Sequence, residues 1–487
     1  MACNGEICSN YLELEPENAS FCDLFRLLCI RDSRKVGGYV MYGDWEEEQR
    51  KFNYRWLIFI SMFVQKCLIL FKTPMEIAGF IVEMWLNTLS ANGNLILLFF
   101  NALTGKIVRP DVSKFTSLIG NLDKRVDLDR KIGHNDSRYN SSLSMMASKL
   151  SYESNVFIRN VVQDHWKMEF LGSYKFWNEF QEEDSTQAFL FHDTTSSPDL
   201  IVVAFRGTRP FVANDWCTDV DFSWLELKDI GKIHIGFMKA LGLTKSRDFP
   251  KELKQDSDQH RLAYYAIREM LRVLMHENDK CKIIITGHSL GGALAILFVA
   301  LLAIHGESSI MERIEGVYTF GQPRVGDEKF GKFMKEKLRG QDVKYLRYVY
   351  CNDMVPRMPF DDKTLSFKHF GACLYFNSCY KGKIVAEEPN KNYLSILWFI
   401  PKMMNALWEL IRSFIIPCTR GPDYKEGWFL KMFRVVGLMI PGLSAHGPQD
   451  YDNLTRIGSL RKPHHIGSLN VPHHLRKANN QRDHKFD

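Results

Sequence analysis

The chain carries the stretch TGHSLGG at residues 286–292, directly after the apolar run Ile283–Ile285. Its glycines stand two residues before and two residues after Ser289, which permits the sharp strand-to-helix turn that lifts a serine Oγ clear of a sheet. The apolar residues 293–300 that follow are typical of a buried helix behind such a turn. A GxSxG pattern alone also occurs in ordinary glycine-rich turns. With a strand before it and a helix after it, the pattern predicts that Ser289 is a catalytic nucleophile.

The sequence around this turn, from about residue 111 to residue 380, alternates short β-branched runs with amphipathic stretches. Such alternation predicts strands and helices that build a mostly parallel sheet. Together with the serine turn, it predicts an α/β-hydrolase fold of the α/β class. The strand candidates are residues 200–205, 282–285, 316–320 and 345–350, and one apolar face of a helix between the first two is marked by Leu262, Ala266, Ile267, Met270 and Leu274.

Composition excludes several classes of protein. The 487 residues exceed one ordinary core, so we expect one large catalytic unit with attachments. The net charge is +6, but residues 455–487 hold seven Lys and Arg against two Asp, so most of the positive charge belongs to this tail. Nucleic acid is therefore not an expected partner. Eleven scattered cysteines without a CxxC pair favour a reducing compartment and predict neither a disulfide framework nor a zinc site.

The N-terminal region lacks a signal-peptide pattern, because its first twenty residues are acidic and no basic stretch precedes a short apolar core. Apolar density instead peaks between Trp56 and Leu103, in runs that Lys66, Lys72 and Pro74 interrupt. The first runs are shorter than the roughly 20 apolar residues of a spanning helix. The uncharged run 84–105 is long enough but contains four asparagines. A re-entrant or interfacial hairpin at a membrane or lipid droplet fits best, and two buried core helices are the alternative.

Two further apolar blocks, residues 393–416 and 428–440, lie between the sheet region and the C-terminus. Their tryptophans suit a boundary between water and lipid, but helices packed over an acyl pocket would have the same composition, so both interpretations remain open. The tail repeats GSLRKPHH as GSLNVPHH within residues 458–474, which predicts a disordered arm rather than a metal site. The predicted division is an N-terminal polar region (1–50), an apolar lipid-association segment (51–110), a catalytic domain (111–454, with an insertion at about 386–440) and a basic disordered tail (455–487).

The nucleophile requires two partners. A serine at its ordinary pKa is a poor nucleophile, so a histidine must accept its proton and a carboxylate must orient that histidine. In an α/β-hydrolase the acid and then the base follow the serine along the chain. Asp353 is the best acid, because the stretch YCNDMVPR places it between a strand and a proline. His446, in the loop SAHGP, is the preferred base, and His369, between aromatic neighbours, is the lesser candidate.

Ester hydrolysis also requires hydrogen-bond donors for the developing oxyanion, each worth about 3 kcal/mol. The backbone N–H of Leu290 is one expected donor, because this residue follows the nucleophile. Thr208 is the second, because FRGT at residues 205–208 ends a strand candidate with a Gly-Thr step. Aromatic and acidic residues then alternate through residues 211–224, the composition of a lid that opens on lipid. No metal or organic cofactor is expected.

Four motifs in this order resemble those of the class 3 lipases: FRGT at 205–208, TGHSLGG at 286–292, FGQPRVGD at 320–327 and NDMVPR at 352–357. The resemblance covers about residues 148–380. The apolar N-terminal region, MASKLSYE at 146–153 and AHGPQDY at 445–451 are further similar to the plant oil-body lipases. This resemblance implies triacylglycerol hydrolysis on lipid droplets, with Ser289, Asp353 and His446 as the triad and Thr208 as an oxyanion donor.

We therefore interpret the chain as a serine ester hydrolase, a triacylglycerol lipase that cleaves acylglycerols at a lipid-droplet or membrane surface facing the cytosol. A phospholipase A1 or galactolipase with the same triad is the near alternative. A non-catalytic, lipase-like signalling protein is the distant one, and the retention of Ser289, Asp353 and His446 argues against it.

Overall fold

The computed structural model describes residues 8–29, 38–42, 52–111, 114–243, 260–359, 366–391, 393 and 398–460. Of the predicted disordered tail, residues 455–487, the part after Leu460 lies outside the described residues, whereas residues 455–460 end α16 and form β15. The strands are β1 (Cys8–Leu14), β2 (Val40–Tyr42), β3 (Glu169–Asn178), β4 (Glu183–Asp193), β5 (Leu200–Phe205), β6 (Trp224–Leu227), β7 (Gly231–His234), β8 (Lys282–His288), β9 (Ile314–Phe320), β10 (Gly326–Asp327), β11 (Lys344–Tyr350), β12 (Phe367–Lys368), β13 (Ala372–Phe376), β14 (Lys381–Val385) and β15 (Ser459–Leu460). The helices are α1 (Phe21–Cys29), α2 (Phe52–Leu70), α3 (Lys72–Ala91), α4 (Leu95–Leu103), α5 (Leu118–Leu122), α6 (Tyr139–Leu150), α7 (Asn155–Asn160), α8 (Ala213–Val220), α9 (Ile235–Ala240), α10 (Ala263–Glu277), α11 (Leu290–Ile304), α12 (Ser308–Met311), α13 (Glu328–Gly340), α14 (Phe399–Arg420), α15 (Trp428–Met439) and α16 (Pro448–Ile457).

The central sheet has nine strands in the described part of the chain, in the order β15-β14-β13-β11-β9-β8-β5-β4-β3. The five strands from β13 to β5 in this order are parallel, and antiparallel pairings occur at β3/β4, β4/β5 and β13/β14. All residues of β5 are buried, as expected for a strand with helices on both faces of its sheet. The four predicted strands coincide with β5, β8, β9 and β11, and the predicted helix with α10. The predicted α/β-hydrolase fold is therefore confirmed.

Alternate residues of the central strands divide the core into two apolar layers. Ile283 and Ile285 of β8 pack in the layer that contains α10 and α11, while Ile284 packs with α6 on the opposite face. All residues of α11 from Leu290 to Leu302 are buried, so α11 is the helix predicted behind the serine turn. Helices on both faces leave the carboxyl ends of the parallel strands at one edge, where α/β sheets carry their sites.

A second sheet, of six strands among the described residues, is not predicted by the sequence pattern; its order is β12-β10-β7-β6-β1-β2. β1 pairs antiparallel with β2 and β6, so residues of the predicted polar region form a sheet with residues of the predicted catalytic domain. Trp224 of β6 is only 2% exposed and packs in one apolar cluster with Tyr54, Ile58 and Met62 of α2. Trp224 therefore belongs to the core, and only the residues before it remain available to a lid.

The predicted apolar hairpin consists of α2, α3 and α4. Within the part of the chain that the structure describes, no single helix has the length and composition of a membrane span, but residues Tyr54–Leu70 and Lys72–Ala91, bent by 61°, pass that test together. α2 lies over α8, where Ser61 Oγ donates to the carbonyl oxygen of Val220 at 2.6 Å. α4 has no buried residue. The N-terminal helices thus cover the segment that follows Thr208.

Candidate active site

Ser289 lies at a strained turn between β8 and α11. Its backbone has φ 59° and ψ −131°, a region that non-glycine residues rarely adopt and that persists only where the surroundings enforce it. A Cβ at Gly287 would come within 2.1 Å of the carbonyl carbon of Gly291, and a Cβ at Gly291 within 2.3 Å of the carbonyl oxygen of Phe205. The two motif glycines therefore permit the close backbone packing that presents the serine.

Ser289, His446 and Asp353 form a continuous hydrogen-bonded row. His446 Nε2 lies 2.8 Å from Ser289 Oγ, and His446 Nδ1 lies 2.8 Å from Asp353 Oδ2. The serine follows β8 and the aspartate follows β11, so both stand at the carboxyl edge of the central sheet, while the histidine lies between α15 and α16. With the proton on Nδ1 held by the carboxylate, Nε2 is free to accept the serine proton.

Tyr451 supports the acid of this row, and sequence reasoning did not identify it. Its hydroxyl donates to Asp353 Oδ2 at 2.5 Å, and the N–H of Val355 donates to Oδ1 at 2.9 Å. Both donors bond the side chain of Asp353, which is completely buried, and so fix its orientation. Tyr451 stands five residues after His446 at the start of α16. The only signal in the sequence was that Tyr451 lies near the candidate base, His446. No spacing rule links Tyr451 to Asp353, which stands ninety-eight positions earlier.

His288, the residue before Ser289, holds the backbone of His446, the candidate base. Its Nε2 lies 2.9 Å from the carbonyl oxygen of His446, and its Nδ1 lies 2.9 Å from Tyr152 Oη. A carbonyl oxygen only accepts, so Nε2 carries the proton and Nδ1 accepts from the tyrosine. Burial keeps the pKa of His288 well below its ordinary value, which maintains this neutral tautomer. The sequence analysis assigned no role to His288.

The two expected oxyanion donors lie on neighbouring loops, Leu290 after β8 and Thr208 after β5. Leu290 is the first residue of α11, so its N–H has no acceptor within the helix. The backbone before Thr208 lies against the backbone of His288. A Cβ at Gly207 would come within 2.5 Å of the carbonyl oxygen of His288, so only glycine permits this approach. Thr208 Oγ1 donates to Asp219 Oδ2 at 2.6 Å. Asp219, on the helix α8 that sequence analysis assigned to a lid, therefore orients the threonine.

Residues 202–363 match the model of the class 3 lipase family. The chain is 42% identical to triacylglycerol lipase OBL1 of Nicotiana tabacum, over 84% of either sequence. It is 40% identical to triacylglycerol lipase OBL1 of Arabidopsis thaliana, over 92% of this chain and 95% of that one. The protein belongs to the class 3 lipase family. Among solved structures, the Rhizomucor miehei lipase propeptide complex is similar over 49% of this chain and 67% of that chain, with 20% identity and a TM-score of 0.36.

In this lipase the alternative base, His369, lies away from the row. Its Nε2 is 2.7 Å from the carbonyl oxygen of Pro356, and its side chain is buried. Burial, together with nearby Arg347 and Arg324, holds the pKa of His369 well below the ordinary histidine value. It is thus a neutral histidine bonded to backbone, as its aromatic neighbours indicated. Among the residues that the structure describes, no group of three or more His, Cys, Asp and Glu side chains could hold a metal ion.

Asp219 is an unusual carboxyl group for this site. Burial raises its pKa to about 7, against the opposing effect of the hydrogen bond from Thr208. Its Oδ1 is buried without a hydrogen-bond partner among the described residues. The folded lipase therefore favours the protonated form. The resulting stability is present below the pKa of the unfolded chain and is lost as the pH rises through about 7.

Replacing Asp219 with asparagine should remove this pH dependence, because the amide oxygen can still accept the hydrogen bond of Thr208 but cannot ionise. We expect the Tm difference, variant minus parent, to be more positive at about pH 8.5 than at about pH 5. Thermal unfolding at both pH values measures this difference. Asp279→Asn, at an exposed aspartate, is the control and should show no such trend. Equal differences at both pH values would show that Asp219 is ionised throughout.

Proposed function

We propose that this protein is a triacylglycerol lipase that uses Ser289 as nucleophile, His446 as general base and acid, and Asp353 to orient the histidine. The observation that carries the proposal is the row of 2.8 Å contacts from Ser289 Oγ through His446 to Asp353. This arrangement activates a hydroxyl for attack on an ester carbonyl.

The reaction has two halves. In the first, Ser289 Oγ attacks the ester carbonyl carbon while His446 Nε2 takes the hydroxyl proton. The oxyanion that forms accepts hydrogen bonds from the backbone N–H groups of Leu290 and Thr208, since the Thr208 hydroxyl donates to Asp219. Its collapse breaks the bond to the glyceride oxygen, which leaves as an alcohol with the proton from His446. In the second half, water gives a proton to His446 and attacks the acyl-serine. The intermediate collapses to a fatty acid, and Ser289 Oγ leaves with the proton from His446.

An acylglycerol is favoured as the substrate by the surroundings of the site. An open groove of about 500 Å³ runs between α2 and α3, and its lining is apolar throughout. Phe211, at this groove, belongs to the loop that follows Thr208. The relatives that match nearly the whole chain are named triacylglycerol lipases, whereas phospholipase A1-II 1 of Oryza sativa is 30% identical over only 33% of this chain.

We further propose that the protein acts on the surface of a lipid droplet or a membrane, on the cytosolic side. The helix α4 supports this location, because it consists almost entirely of apolar residues and none of them is buried. An exposed patch of this kind is uncommon on a protein surrounded by water. Flotation of the purified protein with triolein droplets tests the location, and recovery in the dense fraction alone would contradict it.

The substrate is tested by assaying the purified protein against emulsions of triolein, diolein, phosphatidylcholine and galactolipid under one set of conditions. We expect release of fatty acid to be fastest from the acylglycerols. Faster hydrolysis of phospholipid or galactolipid would favour the phospholipase alternative. Absence of hydrolysis from all four emulsions and from a soluble short-chain ester would contradict an enzymatic function.

A further inference from the structure

The helix α14 has the opposite polarity to a surface helix in water. Three of its four charged residues, Lys402, Glu409 and Arg412, are buried, and the fourth, Arg420 in the last turn, is exposed. Between Phe399 and Ile415 every exposed residue is apolar. Large apolar side chains on this outer face are Phe399, Ile400, Met404, Leu407, Trp408, Ile411, Phe414 and Ile415.

The helix α15 has the same pattern beside α14, except that Lys431 is half-buried, with its Nζ 4.0 Å from the ring centroid of Phe414. Arg434 is completely buried, and Glu426, just before the helix, is buried with it. The exposed residues of α15 are again apolar: Trp428, Met432, Val435, Val436 and Met439.

Four of the inward charges form ion pairs with one another, while Lys402 bonds the carbonyl oxygen of Tyr393. Arg434 bonds both carboxylate oxygens of Glu426, at 2.6 and 2.7 Å, and lies 3.1 Å from Asp450 Oδ2. Arg412 bonds Asp450 Oδ1 at 2.6 Å. Ion pairs of this geometry hold the helices against α16 without contact with bulk water. The outer faces of α14 and α15 are apolar and likewise require no contact with water.

The apolar face continues onto the N-terminal helices. The rings of Trp85 on α3 and Trp428 on α15 are 5.5 Å apart and perpendicular. Beyond this contact, α3 and α4 expose Ile77, Phe80, Ile81, Leu95, Ile96, Leu97, Phe99, Phe100 and Leu103. Segments more than three hundred residues apart in the chain thus contribute to one apolar surface, called here the four-helix face and formed by α3, α4, α14 and α15.

We infer that the four-helix face embeds in the hydrocarbon layer of a lipid surface, with α14 and α15 as a second insertion element beside α3 and α4. This inference rests on the proposed lipase function. Hydrocarbon is the favoured occupant because an interface with another protein carries a polar rim, whereas α14 exposes only apolar residues over four turns. Apolar residues outside and paired charges inside are stable where the surroundings are apolar.

The inference also assigns a role to the insertion before His446, which contains α14 and α15. Asp450, which both buried arginines bind, precedes Tyr451, the residue that donates to the triad acid. The lipid-embedded helices are therefore joined by ion pairs to the helix that supports Asp353. Embedding the insertion would hold the site at the depth where acylglycerols are presented.

The test compares two double variants of the full chain. Ile400→Ser with Phe414→Ser changes two exposed residues of α14, and Val156→Ser with Val273→Ser changes two exposed apolar residues outside the four-helix face. Binding is measured by flotation with triolein droplets coated with phosphatidylcholine, and catalysis with soluble p-nitrophenyl butyrate. We expect the α14 variant to bind at least about 10-fold more weakly. The control should bind like the parent, and all proteins should hydrolyse the soluble ester at similar rates.

Each other outcome has a distinct meaning. Unchanged droplet binding by the α14 variant, with binding lost in Ile96→Ser with Phe99→Ser, would overturn the inference and leave α4 as the anchor. A parent dimer in ultracentrifugation that the α14 variant dissociates, with droplet binding retained, would assign the face to a second copy of the chain. Droplet binding by a parent protein that does not hydrolyse the soluble ester would contradict the proposed lipase function but not the lipid-binding face.

Discussion

Replacing Ser289 with alanine is expected to lower ester hydrolysis by about 10⁴-fold or more, because the acyl-enzyme route then has no nucleophile. Binding to lipid droplets should remain, since Ser289 lies at a buried turn and not on the exposed apolar helices. Initial rates on triolein emulsion and on a soluble ester measure the loss. Flotation and a thermal unfolding curve serve as controls for binding and folding. Retained turnover in the folded variant would show that Ser289 is not the nucleophile.

Replacing His446 with alanine is expected to be as damaging as the serine change. His446 Nε2 is the proton acceptor within reach of Ser289 Oγ, at 2.8 Å. The double variant should be no worse than either single one, because residues that act as one catalytic unit are not additive. Rates for the three folded variants on the same soluble ester measure this relation. A further large loss in the double variant would show that the two residues act independently.

His369→Ala is the matched control for the histidine. His369 bonds the carbonyl oxygen of Pro356 and not the serine. Its replacement should therefore lower the Tm and leave kcat of the remaining folded protein close to the parent value. An active His446→Ala enzyme beside an inactive, folded His369→Ala enzyme would overturn the assignment of the base.

The chain order of the triad could be predicted because each member has a local signature. The glycines around Ser289, the strand before Asp353 and the Gly/Pro loop at His446 are all short-range features. Tyr451 and Asp219 lack such features, since their roles arise only when the chain folds back on itself. The same holds for the second sheet, because the seven residues of β1 carry no local signal of a pairing with β6, more than two hundred positions later.

The polarity of α14 shows a different limit of sequence patterning. Helical periodicity separates Lys402, Glu409 and Arg412 from the apolar residues, but it does not say which face meets the core. The charged face of a helix normally lies in water. In α14 the charged face is buried, and Arg412 forms an ion pair with Asp450. The two interpretations left open for residues 393–440, a boundary with lipid and a cover over an acyl pocket, differ in which helix face points outward. The buried charges favour the lipid boundary.

The most direct test of the catalytic assignment is covalent labelling with a p-nitrophenyl alkylphosphonate, an electrophile that an activated serine attacks with loss of p-nitrophenol. Peptide mass spectrometry locates the adduct, and residual triolein hydrolysis is measured on the same samples. We predict a single adduct on Ser289 and a loss of activity in proportion to labelling. An adduct on another residue, or full activity after complete labelling of Ser289, would contradict the account.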